Sequence, residues 1–247
     1  MHRKVAVAMV ICGALSAAPA SAQMQWQGRG FATIGFGVQG NSRDFTTRAE
    51  PIIYEEPAII TAAQNVGSGL LFDISGGYRV WRNLVVGIGY SHFGDSSAST
   101  VSAAIPHPLL ADAPRNASTS VGSLGHSENA FHFTGTWMIP VTDRIEAGVF
   151  AGPSIFRVGQ DLVSDVGFTE GPDPFTSVTL GSPVVTEESA TAVGINIGAE
   201  VTYLVTQKYR IAGFLRYAGA TADFDGIEGG DLSVGGLHLG VGFRYQF

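Results

Sequence analysis

The end of the chain alternates strictly between apolar and polar positions, and this alternation constrains the fold more than any other feature. One parity, from Leu237 to Phe247, is apolar or aromatic, whereas the other carries His, Gly, Arg and Gln. Successive side chains of a β-strand point to opposite faces, so the pattern predicts a strand with one face for lipid and one for a polar lumen. A half-buried strand of a soluble β-sandwich has the same pattern, so one strand alone does not decide the fold.

Seven further segments repeat this alternation. In the second, for example, Leu70, Phe72 and Ile74 alternate with Asp73 and Ser75. The segments lie at about 28–38, 68–80, 84–90, 131–139, 145–155, 193–203 and 211–217. With the last strand they predict an all-β fold, an eight-stranded antiparallel up-and-down transmembrane β-barrel. A soluble β-sandwich is the alternative fold.

The connections between these segments alternate in length. Short turns are predicted at 81–83, 140–144 and 206–209, and long loops at 39–66, 94–128, 158–190 and 219–231. Short periplasmic turns and long outer loops are typical of outer-membrane barrels. Because the part of the second loop from 94 to 127 is rich in Ser, Ala and Pro and has little periodicity, we expect it to be mobile.

The composition agrees with a barrel. Charged residues make up 14% of the chain, against roughly 25% in soluble proteins. After the first 22 residues no apolar run approaches the ~18 residues of a membrane helix, and the chain contains 33 glycines. In lipid, only helices and closed barrels satisfy every backbone polar group, which leaves the barrel.

The first residues have the three regions of a secretory signal. Arg3 and Lys4 precede a short apolar run, and Ala20-Ser21-Ala22 has the small residues that signal cleavage requires. We therefore expect 1–22 to be a signal peptide and 23–247 to be the mature barrel, with an ordinary first helix as the alternative.

The expected mature chain is acidic and lacks cysteine. It has 12 basic and 21 acidic residues, a net charge of −9, which argues against a nucleic-acid partner. Cys12 is the one cysteine of the sequence and lies within the signal, where Ile11 stands in place of the small residue that a lipoprotein site requires. No disulfide and no thiol chemistry is therefore expected.

Three tryptophans support the orientation of the predicted strands. Trp26, Trp81 and Trp137 all fall at strand ends on the short-turn side. Aromatic rings with a polar tip favour the membrane interface, so we expect these residues to be interface aromatics. Three separate core pockets for the tryptophans are the alternative.

The sequence also resembles a known family. The stretch from Ala151 to Phe156 and Gly235-Gly236-Leu237 before the last strand resemble the eight-stranded outer-membrane proteins that include the barrel of outer membrane protein A. The terminal Phe247, with Tyr245 two residues earlier, resembles the signal read by the barrel-assembly machinery. The resemblance implies that machinery and periplasmic chaperones as partners, and an outer-membrane location. Unlike outer membrane protein A, the sequence stops at the last predicted strand, so we expect no peptidoglycan-binding domain and no cell-wall tether.

Charged residues fall on the inward parity of several predicted strands. Four are positive and three negative: Arg29, Asp73, Arg79, Glu146, Glu200, Arg216 and Arg244. An eight-stranded barrel has a narrow interior, and buried charges must be paired, so we expect a luminal salt-bridge network, mostly in the periplasmic half. The network is either a polar plug, which we favour, or a gate whose rearrangement opens a small pore.

Two groups of residues have the side chains of a hydrolase. His92, Asp95 and Ser96 are close in sequence, as are His126, Ser127 and Glu128. Because neighbours on a strand point to opposite faces, adjacency does not assemble a triad, and we predict no catalytic residues. No His or Cys spacing indicates a metal site, and no cofactor is expected.

The sequence therefore predicts an integral outer-membrane barrel with a structural or surface-interaction role, with a minor pore gated by luminal salt bridges left open. Transport of small apolar molecules is an alternative, and a lipid A-modifying enzyme is a more distant one. The expected surroundings are outer-membrane lipid and lipopolysaccharide, and the expected state is a monomer. Adhesion or partner binding through the outer loops is a second hypothesis, and the residues of these loops do not identify a ligand.

Overall fold

The computed structural model of the chain describes residues 28–40, 42–225 and 227–247. The expected signal peptide and Trp26 lie outside these residues. The described strands are β1 (Gly30–Gly40), β2 (Arg43–Ala49), β3 (Ile52–Ile53), β4 (Glu56–Pro57), β5 (Ile59–Val66), β6 (Gly69–Trp81), β7 (Leu84–Ile105), β8 (Arg115–Pro140), β9 (Ile145–Glu170), β10 (Val178–Leu204), β11 (Tyr209–Asp223) and β12 (Asp231–Gln246).

Eight of the described strands close into a ring. β1 pairs with β6 on one side and with β12 on the other, and each remaining ring strand, β6 to β12, pairs antiparallel with its neighbour in sequence. The last residue joins this closure, since Gly30 and Phe247 exchange backbone hydrogen bonds of 2.9 Å in both directions. The predicted eight-stranded up-and-down barrel is confirmed.

The predicted parities are confirmed in the ring strands. Leu70 is 80% exposed on the outer surface, whereas its neighbour Leu71 is 1% exposed inside. The outward residues form an apolar band over 32–38, 70–80, 84–90, 131–139, 145–155, 193–203, 211–217 and 237–245. Exposing so much apolar surface to water would be costly, and 193–203 has the length of a spanning strand, about 9–11 residues. The band therefore faces lipid, and the sandwich alternative is wrong.

The short turns are where the sequence predicts them, at 82–83, 141–144 and 205–208. Trp81 and Trp137 lie at this end with their rings on the outer surface, as do Tyr203, Tyr209 and Tyr245. We call this the short-turn end of the barrel. Within the residues that the structure describes, no helix is long and apolar enough to cross a membrane.

At the opposite, projecting end the prediction of long loops is wrong. β7 to β10 continue beyond the apolar band as paired strands, and the connections shrink to 106–114 and 171–177. The segment 94–127 is mostly strand because Val101 and Ala103 alternate with Thr100 and Ser102 and are buried on one face. Small hydroxyl residues hide this alternation, since they contrast weakly with alanine.

A hairpin covers the mouth of the barrel. β2 pairs with β5, and β5 continues the sheet at the outer part of β7. On the other side β2 meets the β11–β12 connection, through a bridge between Thr47 and Ile227 and a 2.9 Å hydrogen bond from the Glu228 amide to the Thr46 carbonyl. The predicted loops 39–66 and 219–231 are therefore a cover with its own strands.

Beneath this cover the interior is largely apolar. Two clusters of buried side chains fill it, one around Phe156, Leu162 and Phe224 and one around Ile60 and Val101. The cores of both clusters have exposures of 5% or less. The barrel thus has a polar lumen within the membrane band and a packed apolar core beyond it.

Candidate functional site

The candidate site is the lumen, where ion pairs occur at successive depths. Nearest the short-turn end, Arg210 forms an ion pair with Glu146 and donates from Nε to the side-chain oxygen of Gln246 at 2.9 Å. Arg79 lies within electrostatic range of both Glu146 and Arg210. Both partners of the ion pair are almost fully buried, so the attraction between the two charges offsets the cost of removing them from water.

The next ion pair joins β10 to β12. Arg244 donates Nη1 to Glu200 Oε1 at 2.9 Å and Nη2 to Oε2 at 2.6 Å, the two-pronged geometry that suits a guanidinium and a carboxylate. Its Nε donates to Thr33 Oγ1 at 2.9 Å, and its Cζ lies 3.9 Å from the centre of the Phe31 ring. Arg244 is therefore held on several sides.

A third ion pair lies deeper. Arg216 Nη2 donates to Asp73 Oδ2 at 2.7 Å, and Nε donates to His238 Nδ1 at 3.1 Å. Because a guanidinium can only donate hydrogen bonds, Nδ1 of His238 carries no proton and is the acceptor of this bond. Asp73 and Glu200 line a shared cavity of about 60 Å³, which has room for a few water molecules.

A chain of neutral hydrogen bonds lies beside these pairs. The two ring nitrogens of His132 contact Ser91 Oγ at 2.9 Å and Ser154 Oγ at 2.8 Å, and Asn196 Nδ2 donates to Ser154 Oγ at 2.8 Å. His132 and both serines are buried. One histidine thus meets two serines in the interior of the lumen.

Glu128 is a carboxylate with four hydrogen-bond donors, at the boundary between the polar lumen and the apolar core. It receives hydrogen bonds from Arg43 at 2.9 Å, Gln39 at 3.0 Å, the Gly235 amide at 2.9 Å and His126 at 3.0 Å. These donors lie on β2, β1, β12 and β8, so one carboxylate joins the mouth cover to the barrel wall.

The charge of Glu128 is stabilised by these partners. It lies beyond the membrane band, which begins at 131 in β8. Burial alone would raise the pKa of the Glu128 carboxyl, but the hydrogen bond from His126 and the charge of Arg43 outweigh burial and lower that pKa to about 2. The carboxylate is therefore ionised throughout the neutral range.

His126 continues the network towards the cover. Its Nδ1 contacts Gln160 Oε1 at 2.6 Å, while Gln160 Nε2 donates to Gln64 Oε1 at 2.9 Å. The two ring nitrogens of His126 thus contact two acceptors, the side-chain oxygen of Gln160 and the carboxylate of Glu128.

The structure brings together most, but not all, of the charged residues that the sequence places in the lumen. Asp73 meets Arg216 and Glu200 meets Arg244, while Glu146 lies near Arg79. The prediction that Arg29 belongs to the luminal network is wrong, because Arg29 is exposed at the rim and forms no ion pair with any described residue. The inward parity of Arg29 does not bury it, since the strand begins only at 30.

Sequence reasoning missed three important residues. Arg210 falls at the junction of a predicted turn and strand, while Arg43 and Glu128 fall in predicted loops. The inward parity of Ala130 and His132, continued back along β8, indicates Glu128 and would have found it. The ion pairs therefore extend beyond the periplasmic half, to the projecting end.

The two candidate hydrolase groups do not assemble. His92 and Ser96 point outward, while Asp95 accepts a 2.6 Å hydrogen bond from the Gly67 amide. In the second group, His126 and Glu128 face inward and Ser127 faces outward. No group of three or more His, Cys, Asp or Glu suited to a metal occurs in the part of the chain that the structure describes.

No protein-family model matches the sequence, and neither does any curated protein. Solved structures are similar in overall fold. Neisserial surface protein A is 14% identical, with 88% of this chain and 97% of that one covered and a TM-score of 0.39. The N-terminal β-barrel domain of Pseudomonas aeruginosa OprF is 14% identical, with 90% and 100% covered and a TM-score of 0.40. P. aeruginosa OprG is 8% identical, with 89% of this chain and 96% of that one covered and a TM-score of 0.40.

The closed ring and the outward apolar band are observed in this chain, independently of the similar structures. Among the described residues, each ring strand pairs with a neighbour on both sides over almost the whole depth of the band, as a lipid environment requires. With short turns at one end and extended connections at the other, the chain is an eight-stranded β-barrel of the outer-membrane type.

Proposed function

We propose that this protein is an integral barrel of the bacterial outer membrane with a closed lumen, and that it acts through the rigid β-structure it projects outward. Short turns lie on the periplasmic side of such barrels, so the covered end faces the exterior. The role is therefore a surface interaction rather than bulk transport.

The observation that carries this proposal is the continuous filling of the interior. Side chains occupy it from the Glu146–Arg210 pair at the short-turn end to the apolar clusters beneath the mouth cover. The cavity between the ion pairs is only about 60 Å³, and Glu128 with its donors lies on its mouth side. A solute-conducting path would require several ion pairs and an apolar core to open together.

Transport of small apolar molecules is less well supported. Such transport needs a dry channel that leads to a gap in the wall. β10 and β11 separate beyond Ile195 and Gly219, but Ala218, Ala222 and Phe156 pack behind the gap with exposures of 1% or less. Among the described residues, packed side chains therefore stand where the channel would have to run.

Catalysis is also less well supported. The serine–histidine contacts of Ser91 and Ser154 with His132 are buried in the lumen rather than placed at the outer rim, where a lipid substrate lies. We propose that the protein is not an enzyme.

Single-channel recording tests the closed lumen. The refolded mature chain in a planar bilayer is expected to be electrically silent, as is a control in which exposed Arg157 is replaced by alanine. Glu200→Ala and Arg216→Ala remove one partner of each central ion pair and are expected to produce at most brief, rare openings. Folding of each sample is checked by heat-modifiable migration on a gel. Regular conductance steps of the wild-type protein would contradict the closed lumen and support the gated pore.

The surface of the band supports the proposed surroundings. Outward residues such as Val193 and Val241 suit lipid tails, and the exposed side chains of Tyr245 and Phe247 are free for the barrel-assembly machinery to contact. Lipopolysaccharide, periplasmic chaperones and a monomeric state belong to the same proposal. Deleting Phe247 is expected to reduce the amount of assembled barrel in the outer membrane without changing its synthesis.

A further inference from the structure

The outer part of β10 is the open edge of a sheet. β10 pairs with β9 from Val178 to Tyr203, but its pairing with β11 begins only at Ile195. No described strand therefore pairs with the second side of residues 178–194. At about 3.4 Å per residue this edge is roughly 55 Å long, and it carries a row of backbone donors and acceptors that no second strand pairs.

The pairing of β8 with β9 ends at His126 and Gln160, so the outer parts of β9 and β10 form a two-stranded ribbon beside the sheet of β8, β7, β5 and β2. The far edge of that neighbouring sheet is covered. There β2 is the last strand, and the β11–β12 connection closes on it through Ile227 and Glu228. The β10 edge has no such cover among the described strands, since its pairing with β11 begins only at Ile195. The four consecutive residues 184–187 are all exposed, so both faces of the strand meet solvent there.

The open edge also carries unbalanced negative charge. Glu187 lies directly opposite Asp161 in the β9–β10 register, and Glu188 follows on the other face. Among the described residues no cation pairs with Glu187, Glu188 or Asp161. Like charges directly opposite one another on a sheet are destabilising, so a cation from outside would relieve this contact.

A second copy of the chain does not suit the edge. Two copies in one membrane lie at the same depth, so their β10 strands would meet in parallel and in register. Glu187 and Glu188 would then each lie next to their own copies, at a cost in charge repulsion. Pro183 has no backbone N–H to donate, and the β9–β10 register shifts beside it. Both features protect edge strands from self-pairing.

We propose that the β10 edge binds an extended cationic segment of another protein by strand addition, with two adjacent basic side chains opposite Glu187 and Glu188. The segment's backbone pairs with residues 184–190, and its alternate side chains place one cation on each face of the sheet. The proposal rests on the proposed function, because it names the partner of the projecting structure.

A labelled peptide tests the site. The probe is a fluorescein-labelled peptide with Lys-Lys at the centre of alternating Val and Thr residues, and its matched partner carries Glu-Glu at the centre. Anisotropy is measured with the refolded mature chain in a non-ionic detergent. The Lys-Lys peptide is expected to bind at least about tenfold more tightly than the Glu-Glu peptide, since two opposite-charge pairs replace two like-charge pairs.

Two double variants locate the binding. Glu187→Lys with Glu188→Lys reverses the charge of the edge and is expected to invert the peptide preference. Asp225→Lys with Glu228→Lys makes the same change of net charge on the exposed β11–β12 connection and is expected to leave the preference unchanged. Hydrogen exchange of the amides in 184–190 is expected to slow when the Lys-Lys peptide is bound.

Three results would overturn the proposal: equal binding of both peptides, equal loss of preference in the two double variants, or binding without protection of the 184–190 amides. The conductance measurement is independent of these results. A silent barrel that ignores the Lys-Lys peptide would contradict the edge site alone, and a conducting barrel would contradict the closed lumen.

Discussion

Glu128 shows how a single buried charge organises this molecule. Its four donors come from four strands, including Arg43 of the mouth cover. The Gly235 amide reaches it from a backbone with φ of 83°, where a Cβ would overlap the Ala218 carbonyl oxygen. The carboxylate and the glycine therefore depend on each other, because another residue at 235 would displace one of the donors.

Glu128→Gln is expected to destabilise the folded barrel by about 3 kcal/mol near neutral pH, from the difference between the ordinary carboxyl pKa of 4.5 and its lowered value of about 2. Because the pKa is lowered in the folded state, this stabilisation is present above the unfolded pKa. It is lost as pH falls through the folded pKa, between about 4.5 and 2. Urea unfolding in lipid vesicles at several pH values measures it.

Glu228→Gln is the matched control for this prediction, since the Glu228 side chain is exposed and only its amide forms a hydrogen bond. It is expected to change the unfolding free energy by less than about 0.5 kcal/mol. A Glu128 variant as stable as wild type at pH 7, or a difference that grows in acid, would contradict the role assigned to the carboxylate.

The mouth cover is the element that converts an open barrel into a closed one. β5 contributes Ile60 to the apolar cluster beneath the cover, with 1% of its surface exposed, while the adjacent Ile59 points outward. The hairpin is thus held by side-chain packing and by its pairing with β7. Loss of that packing affects the cover before it affects the ring, since the ring has its own ladder of hydrogen bonds.

Ile60→Ala is expected to loosen the cover by about 2–4 kcal/mol, because it leaves a cavity in a packed cluster. Ile59→Ala removes the same atoms from an exposed position and is expected to cost less than about 1 kcal/mol. Limited proteolysis of the refolded protein compares the two, with cleavage of the β2–β5 region expected to accelerate only for Ile60→Ala. Equal cleavage rates would show that packing does not hold the cover.

The whole molecule is divided by its surroundings into a lipid-facing ring and a water-facing projection. Outward residues are apolar in the band and largely hydroxyl or acidic beyond it, as Val241 and Ser102 illustrate. The same strands cross both regions, so the boundary is set by side chains and not by the backbone.

Val241→Arg places a charge on the lipid face near the middle of the band and is expected to cost about 2–4 kcal/mol. Ser102→Arg places the same side chain on the exposed wall of the projection and is expected to cost less than about 0.5 kcal/mol. Unfolding of the two variants in lipid vesicles measures the difference. Similar costs at both positions would contradict the placement of the membrane band.

The number, facing and order of the ring strands were predictable from the sequence. In the band each outward residue meets lipid and each inward residue meets the polar lumen. Neighbours such as Leu70 and Leu71, or Phe72 and Asp73, therefore differ in their surroundings according to the strand parity, which can be predicted from the local sequence. Arg29 shows the limit of that reading, because its parity is inward but it lies just outside β1. The projecting strands show another, since water surrounds them and Ser or Thr beside Ala gives little contrast.

The sequence by itself determined that the chain is a β-barrel, which face of each spanning strand meets lipid, and which end has the short turns, because these properties follow from neighbouring residues. Only the tertiary structure decided which charges meet. Asp73 and Arg216 are 143 residues apart, and Arg43 and Glu128 are 85 apart. Their pairing depends on the register of every strand around the closed ring. The mouth cover and the open β10 edge arise in the same way, from where non-neighbouring strands meet and where they separate.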